Sequence, residues 1–160
     1  MKTTIYYMGI DPGDNGCLSI LYPDGAVKSF PFMDYNAVEV LTSPDIKKLL
    51  KKAILTIEEP QIFGKSSNPK TLLVLGKNYG YLTGVLETLD IAYMSVYPSK
   101  WKRAFKIAGL PKSASIDKVH ILYPKANLYR TPKCTTEHDG IADSILIADY
   151  GRRQSQLPIT

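Results

Sequence analysis

The sequence predicts an α/β protein, a mixed five-stranded sheet flanked by helices, on three observations. Short β-like runs crowd the first thirty or so positions, strand-like and helix-like stretches alternate after them, and the chain closes on a long, largely apolar helical run. Strands joined by tight turns pair antiparallel, while alternation of strand and helix builds a mixed sheet.

The elements follow in order. Thr4 to Ile10, Cys17 to Tyr22 and Ala26 to Phe32 read as strands joined by DPGDNG and by PDG, the second a tight hairpin turn, so an antiparallel meander opens the chain. Ser43 reads as an N-cap with Pro44 at the first helical position and DIKKLLKKA as the helix. The strand AILTIEE comes next and leaves Glu58 and Glu59 at a carboxyl end. A polar loop, GKSSNPK, leads to a long helix from about Pro69 to Leu89, a strand IAYMSVYP and a short helix SKWKRAFKIAG. Ser115 to Tyr123 is a further helix, YRTPKCTTEH a loop and DGIADSILIADYGRR the final helix. No repeat, low-complexity tract or long linker divides the 160 residues, which predicts one domain over 1–155 and a short tail at 156–160.

Hydrophobic residues at 44% and charged residues at 22% exclude a disordered chain. The formal charge of +5 leans toward an anionic partner. Cys17 and Cys134 show neither CxxC nor Cys/His metal spacing, so they read as reduced thiols with a structural role. No apolar run approaches the roughly 18 residues of a membrane span and no signal peptide is seen, which predicts a cytoplasmic protein without a membrane partner. Gly76, Gly80 and Gly84 share one face of the long helix. Each costs about 1 kcal/mol relative to alanine, so that face is expected to pack closely on the core or, as the second choice, on another subunit.

Five acids stand at element ends or among apolar residues, and four of them can share one side. Asp11 ends the first strand with Gly13 and Gly16 clearing space after it, although Asp before Pro-Gly also begins an ordinary turn. Of Glu58 and Glu59 only one can face the side used by Asp11, because side chains alternate along a strand. Asp139 and Asp143 lie four apart on the last helix and so share a face. Asp139 alone could be a helix-terminal residue. Asp143, set among Ile141, Ala142, Ile145 and Leu146, calls for a cation. Oxygen ligands converging from two strands and a helix suit Mg²⁺ or Mn²⁺ better than zinc. The chemistry most in need of such a cluster is phosphodiester hydrolysis, with two ions about 4 Å apart.

These motifs resemble the RuvC-type Holliday junction resolvases of the ribonuclease H-like superfamily: MGIDPGDNGCLSI the first motif, TIEE the glutamate strand and HDGIADSILIADY the acidic helix. PSKWKRAFKIAG and DGIADSILIADYGRR are similar to forms in small phage RuvC-like enzymes and the chloroplast resolvase, and the likeness runs in order over nearly the whole chain. It implies a ribonuclease H-like fold and a crossover junction endodeoxyribonuclease with two Mg²⁺ ions, Mn²⁺ substituting. Asp11, Glu58 and Asp143 are then metal ligands, and Glu59 is not. Bacterial RuvC proteins space their two helix acids three apart, which falls on Gly140 here; Asp139 or His138 is left to complete the set.

For DNA, the segment PSKWKRAFKIAGLPKS supplies Lys100, Lys102, Arg103, Lys106 and Lys112 around Trp101 and Phe105, read either as phosphate contacts or as a solvated face over an apolar anchor. In resembling resolvases an aromatic near the position of Phe63, here beside Lys65, enters the junction centre. A four-way junction has two equivalent scissile phosphates, which implies a homodimer. The competing readings are a nuclease of the same fold for other branched DNA or RNA, a junction-binding protein that does not cut, and an actin-like ATP-binding protein suggested by GIDPG.

Overall fold

The computed structural model describes residues 5–61 and 68–156. Strands β1 (Tyr6–Asp11), β2 (Cys17–Leu21) and β3 (Val27–Pro31) form the expected meander. Strands β4 (Ala53–Glu58) and β5 (Met94–Val96) add in parallel beyond β1, giving the mixed five-stranded order β3-β2-β1-β4-β5. The helices are α1 (Ala37–Thr42), α2 (Pro44–Leu50), α3 (Pro69–Thr88), α4 (Pro98–Ala104), α5 (Ser113–Leu122) and α6 (Asp139–Ser155). Among the described residues no helix is long and apolar enough to cross a membrane.

The central strands are apolar on both sides because both sheet faces are covered. Met8, Ile10, Leu18, Ile20, Leu55 and Ile57 pack toward Val40, Leu41, Ile46, Leu82 and Leu86 of α1, α2 and α3. The alternate positions Cys17 and Leu21, with Val96, pack toward Trp101, Phe105, Val119, Ile141, Ile145 and Leu146 of the α4 to α6 layer. Helix α6 lies directly on β1: a β-carbon on Gly9 would overlap the Ser144 carbonyl oxygen and the Ala148 amide nitrogen. Only glycine permits that approach.

Three local expectations need correction. A separate helix, α1, precedes Ser43 and is capped by Asn36, whose Oδ1 accepts from the amides of Val38 (2.9 Å) and Glu39 (3.2 Å). Ser43 stands at the N-cap position of α2 but makes no capping bond; its hydroxyl donates back to the Val40 carbonyl at 2.8 Å and closes α1. Helix α4 stops at Ala104 rather than running to Gly109, because Lys106 turns left-handed (φ 60°). Its amide and that of Ile107 then close on the carbonyls of Arg103 and Lys102, a Schellman-type stop that brings Ile107 into the core. Finally, a β-carbon at Gly76, Gly80 or Gly84 would meet nothing within 4 Å among the described residues, so this face does not pack on the core. It forms an outward stripe with Leu73 and Tyr81, 62% and 53% exposed.

Candidate active site

The pairing of the two central parallel strands brings the first acids together. Ile10 lies opposite Ile57, so Asp11 and Glu58, one residue further on, end β1 and β4 side by side. Their direction follows from positions two residues earlier. Gly9 faces the α6 backbone, and Thr56 faces Gly151 of α6, whose added β-carbon would overlap the threonine hydroxyl. Alternation therefore turns Asp11 and Glu58 to the α6 side and Glu59 away from it, while the Glu59 amide continues the ladder to Val96 O at 2.9 Å. On α6, Asp143 immediately precedes Ser144, the residue over Gly9. The three expected ligands thus gather where β1, β4 and α6 meet.

Each is held by a different neighbour. The Gly13 amide donates to Asp11 Oδ1 at 2.9 Å, and a β-carbon at Gly13 would stand 3.2 Å from that oxygen. The indole Nε1 of fully buried Trp101 donates to Glu58 Oε2 at 2.6 Å. Lys102 Nζ lies 5.2 Å from the centre of the same indole. Asp143 Oδ1 is covered and has no hydrogen-bond partner among the described residues.

Burial, then the charge of Asp143 and, more weakly, Asp139, pushes Asp11 up to about 7 against the Gly13 amide and Lys102. Burial and the Asp11 charge push Glu58 up to about 8, opposed by the Trp101 indole, with Asp143 adding to the rise. Burial also raises Asp143, against the Ser115 hydroxyl and Lys102. The sign of the consequence is fixed. Unfolded, these groups titrate near 3.8 and 4.5; folded, Asp11 and Glu58 keep their protons to about 7 and 8. Metal-free protein is therefore expected to lose stability as pH rises from about 4 to about 8 and to level off above, because the native state binds more protons throughout that window. The urea midpoint at pH 5 and pH 8 measures it.

Among the described residues no three Asp, Glu, His or Cys side chains stand at the spacing of a formed metal-ligand set. The residues nevertheless fit a hard cation. The donors are all carboxylate oxygens, one of them buried without a partner, and the turn beside Asp11 is kept clear by glycine.

Asp139 occupies the outer edge, with Oδ1 accepting from the Gly140 amide and Oδ2 3.6 Å from Lys112 Nζ. A β-carbon at Gly140 would overlap the Asn15 carbonyl oxygen, so no acidic side chain fits three residues before Asp143; Asp139 stands one position earlier. His138 is the N-cap residue of α6, makes no capping bond, and has a covered Nδ1 without a partner among the described residues.

Lys100, Arg103, Lys106 and Lys112 are exposed, whereas Lys102 is half-buried against Trp101 and its charge acts on all three inner acids. Phe63 and Lys65 lie outside the described residues. Sequence reasoning took Trp101 as an apolar anchor and missed its bond to Glu58. It also missed the hydroxyl chain beneath the site, Ser29 to Ser19 (2.7 Å) to Ser144 (2.6 Å), with Ser144 donating to Ile141 O at 2.9 Å. The available signal was a serine set within each of two mainly apolar runs, CLSIL and SILIA.

No protein-family model matches the sequence, and a search of curated proteins finds no match. Solved structures do match. Thermus thermophilus RuvC aligns with a TM-score of 0.56 at 15% identity, covering 94% of this chain and 96% of that one. The fold is that of RuvC. RuvC of the same organism in complex with a Holliday junction substrate aligns with a TM-score of 0.58 at 14% identity, over 94% of this chain and 96% of that one. The yeast mitochondrial Holliday junction resolvase aligns at 0.53 and 16% identity, over 96% of this chain and 80% of its own. The RuvC likeness at these identities is one of architecture, and the residue assignments rest on the geometry above.

Proposed function

We propose that the chain is a metal-dependent Holliday junction resolvase, an endodeoxyribonuclease that hydrolyses phosphodiester bonds in four-way DNA. The observation carrying this reading is the meeting of Asp11, Glu58 and Asp143 where α6 crosses the carboxyl ends of β1 and β4, on a fold shared with RuvC. These three, with Asp139 at the edge, would hold Mg²⁺ or Mn²⁺, two ions in our reading. Bound there, the ions would supply an activated water and stabilise the leaving oxygen. The chain's own groups set the geometry. The Gly13 amide aims Asp11, the Trp101 indole aims Glu58, and Lys102 places a positive charge beside the acids where a phosphate must approach.

Trp101→Phe keeps an aromatic ring, smaller than the indole, and removes the donor. Cleavage is expected to fall about 10-fold or more, since a hydrogen bond to a charged group contributes about 1.5–3 kcal/mol. The Mg²⁺ midpoint should rise while junction affinity stays put. Unchanged cleavage would reduce the indole to packing.

The exposed Lys100, Arg103, Lys106 and Lys112 are read as phosphate contacts. Lys106→Ala should weaken binding to all DNA and lower the slope of log affinity against log salt by about 0.9; an unchanged slope would remove Lys106 from the interface. Two scissile phosphates in one junction favour a homodimer. The outward stripe of Leu73, Gly76, Gly80 and Gly84 on α3 supports that reading by offering a surface on which nothing packs among the described residues.

The deciding experiment is incubation with a labelled synthetic four-way junction, a matched duplex and an RNA–DNA hybrid, in Mg²⁺, in Mn²⁺ and without metal. Paired nicks in the junction alone, only with metal, are expected. Preferential cutting of the hybrid would make the chain a ribonuclease of the same fold, and binding without cutting would make it a junction-binding protein.

A further inference from the structure

On the other side of the catalytic turn lies a cleft of about 370 Å³, within the size range of small-molecule sites. Its walls include Gly13 and Asp14 of the turn, Phe32 and Tyr35 of the β3–α1 connection, and Asn78 and Tyr81 of α3. Phe32 belongs to the core cluster beneath α1 to α3, which places the cleft on the sheet face opposite α6. We propose that this cleft takes an unpaired guanine base of the bound DNA strand and thereby sets where that strand is cut. The proposal rests on the nuclease reading above.

Aromatic walls come first. Tyr35 is 47% exposed and Tyr81 53% exposed, so both rings are open to a stacking partner. A base stacked on such side chains gains about 1–3 kcal/mol without regard to its identity.

The polar end of the cleft supplies identity. Asn78 Nδ2 donates to Asp14 Oδ1 at 3.1 Å. A carboxylate oxygen only accepts, so this bond fixes which way the amide points and leaves Asn78 Oδ1 as an acceptor. Asp14 Oδ2 is a second acceptor within the same hydrogen-bonded pair, and among the described residues no hydrogen bond uses either atom. Two acceptors within one pair suit a base edge with two neighbouring donors. Guanine alone presents such a pair, N1–H and N2–H₂, on its pairing edge. Adenine and cytosine set one amino group beside an acceptor, and thymine sets its single N–H between two carbonyls. A Watson–Crick partner occupies the same guanine donors, so only an unpaired base can enter, and strand exchange in a branched substrate exposes such bases. The Asp14 charge also turns phosphates away and leaves the cleft to bases.

Continuity with the acids is the third argument. Gly13 lines the cleft and its amide holds Asp11 Oδ1 at 2.9 Å, so a base lodged here belongs to a nucleotide close to the phosphate at Asp11.

The test uses full-length protein without metal and fluorescence anisotropy of labelled thymidine decamers carrying one central guanine or, instead, inosine, which lacks the N2 amino group. Guanine should bind about 10-fold more tightly than inosine, the equivalent of about 1.4 kcal/mol. Asn78→Ala should bring that ratio close to 1 while leaving the melting temperature and affinity for all-thymidine decamers nearly unchanged, whereas Tyr35→Ala, which removes stacking common to every base, should weaken the guanine and inosine decamers by the same factor. Tyr81 is left intact because it also borders the α3 stripe. Equal binding of guanine and inosine by the wild type, a ratio that survives Asn78→Ala, or undiminished affinity in Tyr35→Ala overturns the proposal. Discrimination between the decamers without cleavage of any junction would instead retain the cleft and sink the resolvase reading.

Discussion

Asp11→Asn, Glu58→Gln and Asp143→Asn should each lower cleavage of a four-way junction by about 10³-fold or more, because a bound cation supplies several kcal/mol of transition-state stabilisation and each 1.36 kcal/mol is tenfold in rate. Junction affinity should change little, since our proposal gives the phosphate contacts to the exposed lysines and Arg103 rather than to the recessed acids. Glu59→Gln is the internal control. Its side chain points away from Thr56 and α6, and its effect should be slight. Gel assays of cleavage and mobility-shift titrations of the same variants measure both quantities. A dead Glu59→Gln beside an active Glu58→Gln would reverse the strand-face assignment.

Gly9→Ala should be the most damaging single change to the fold. The new methyl would overlap the Ser144 carbonyl oxygen and the Ala148 amide nitrogen, backbone atoms that no rotamer change moves aside. Overpacking a core typically costs about 1–3 kcal/mol and more when only backbone can yield. A cost of about 3 kcal/mol or more is a large part of a domain's usual 5–15 kcal/mol. Because α6 would have to lift from β1, Asp143 would also leave Asp11. Gly76→Ala on the outward face of α3 is the matched control, expected to be neutral or to stabilise by up to about 1 kcal/mol. Urea denaturation of both variants reads the difference, and wild-type stability in Gly9→Ala would mean that α6 does not lie on β1.

Much of this arrangement is legible in the sequence because local chemistry and global packing agree there. The DPGDNG and PDG turns fix the meander, and a run as apolar as ADSILIADY can only be a covered helix, so Asp143 stands out within it. Agreement fails where packing overrides propensity. Helix α1 carries Val38, Val40 and Thr42, poor helix formers, and forms because Val40 and Leu41 are buried in the α1 to α3 layer. Lys106 adopts a left-handed conformation that favours glycine because Ile107 must reach the core. Glycine spacing on α3 was visible, but whether that face turns inward is a long-range fact that no local pattern holds. The partnership of Trp101 with Glu58 spans 43 positions and joins a helix to a strand end, again outside any local pattern.

The central claim is that Asp11, Glu58 and Asp143 form one cation site, and thermal melting of wild type and Asp143→Asn over a range of Mg²⁺ at pH 8 tests it most directly. Without metal the variant should melt higher than wild type, because one member of a mutually repelling group of buried carboxylates has been neutralised. Added Mg²⁺ should raise the wild-type melting temperature, binding at 100 times its dissociation constant contributing about 2.7 kcal/mol, and should move the variant far less, so that the two curves cross. Parallel curves with the same response to Mg²⁺ in both proteins would contradict a shared site.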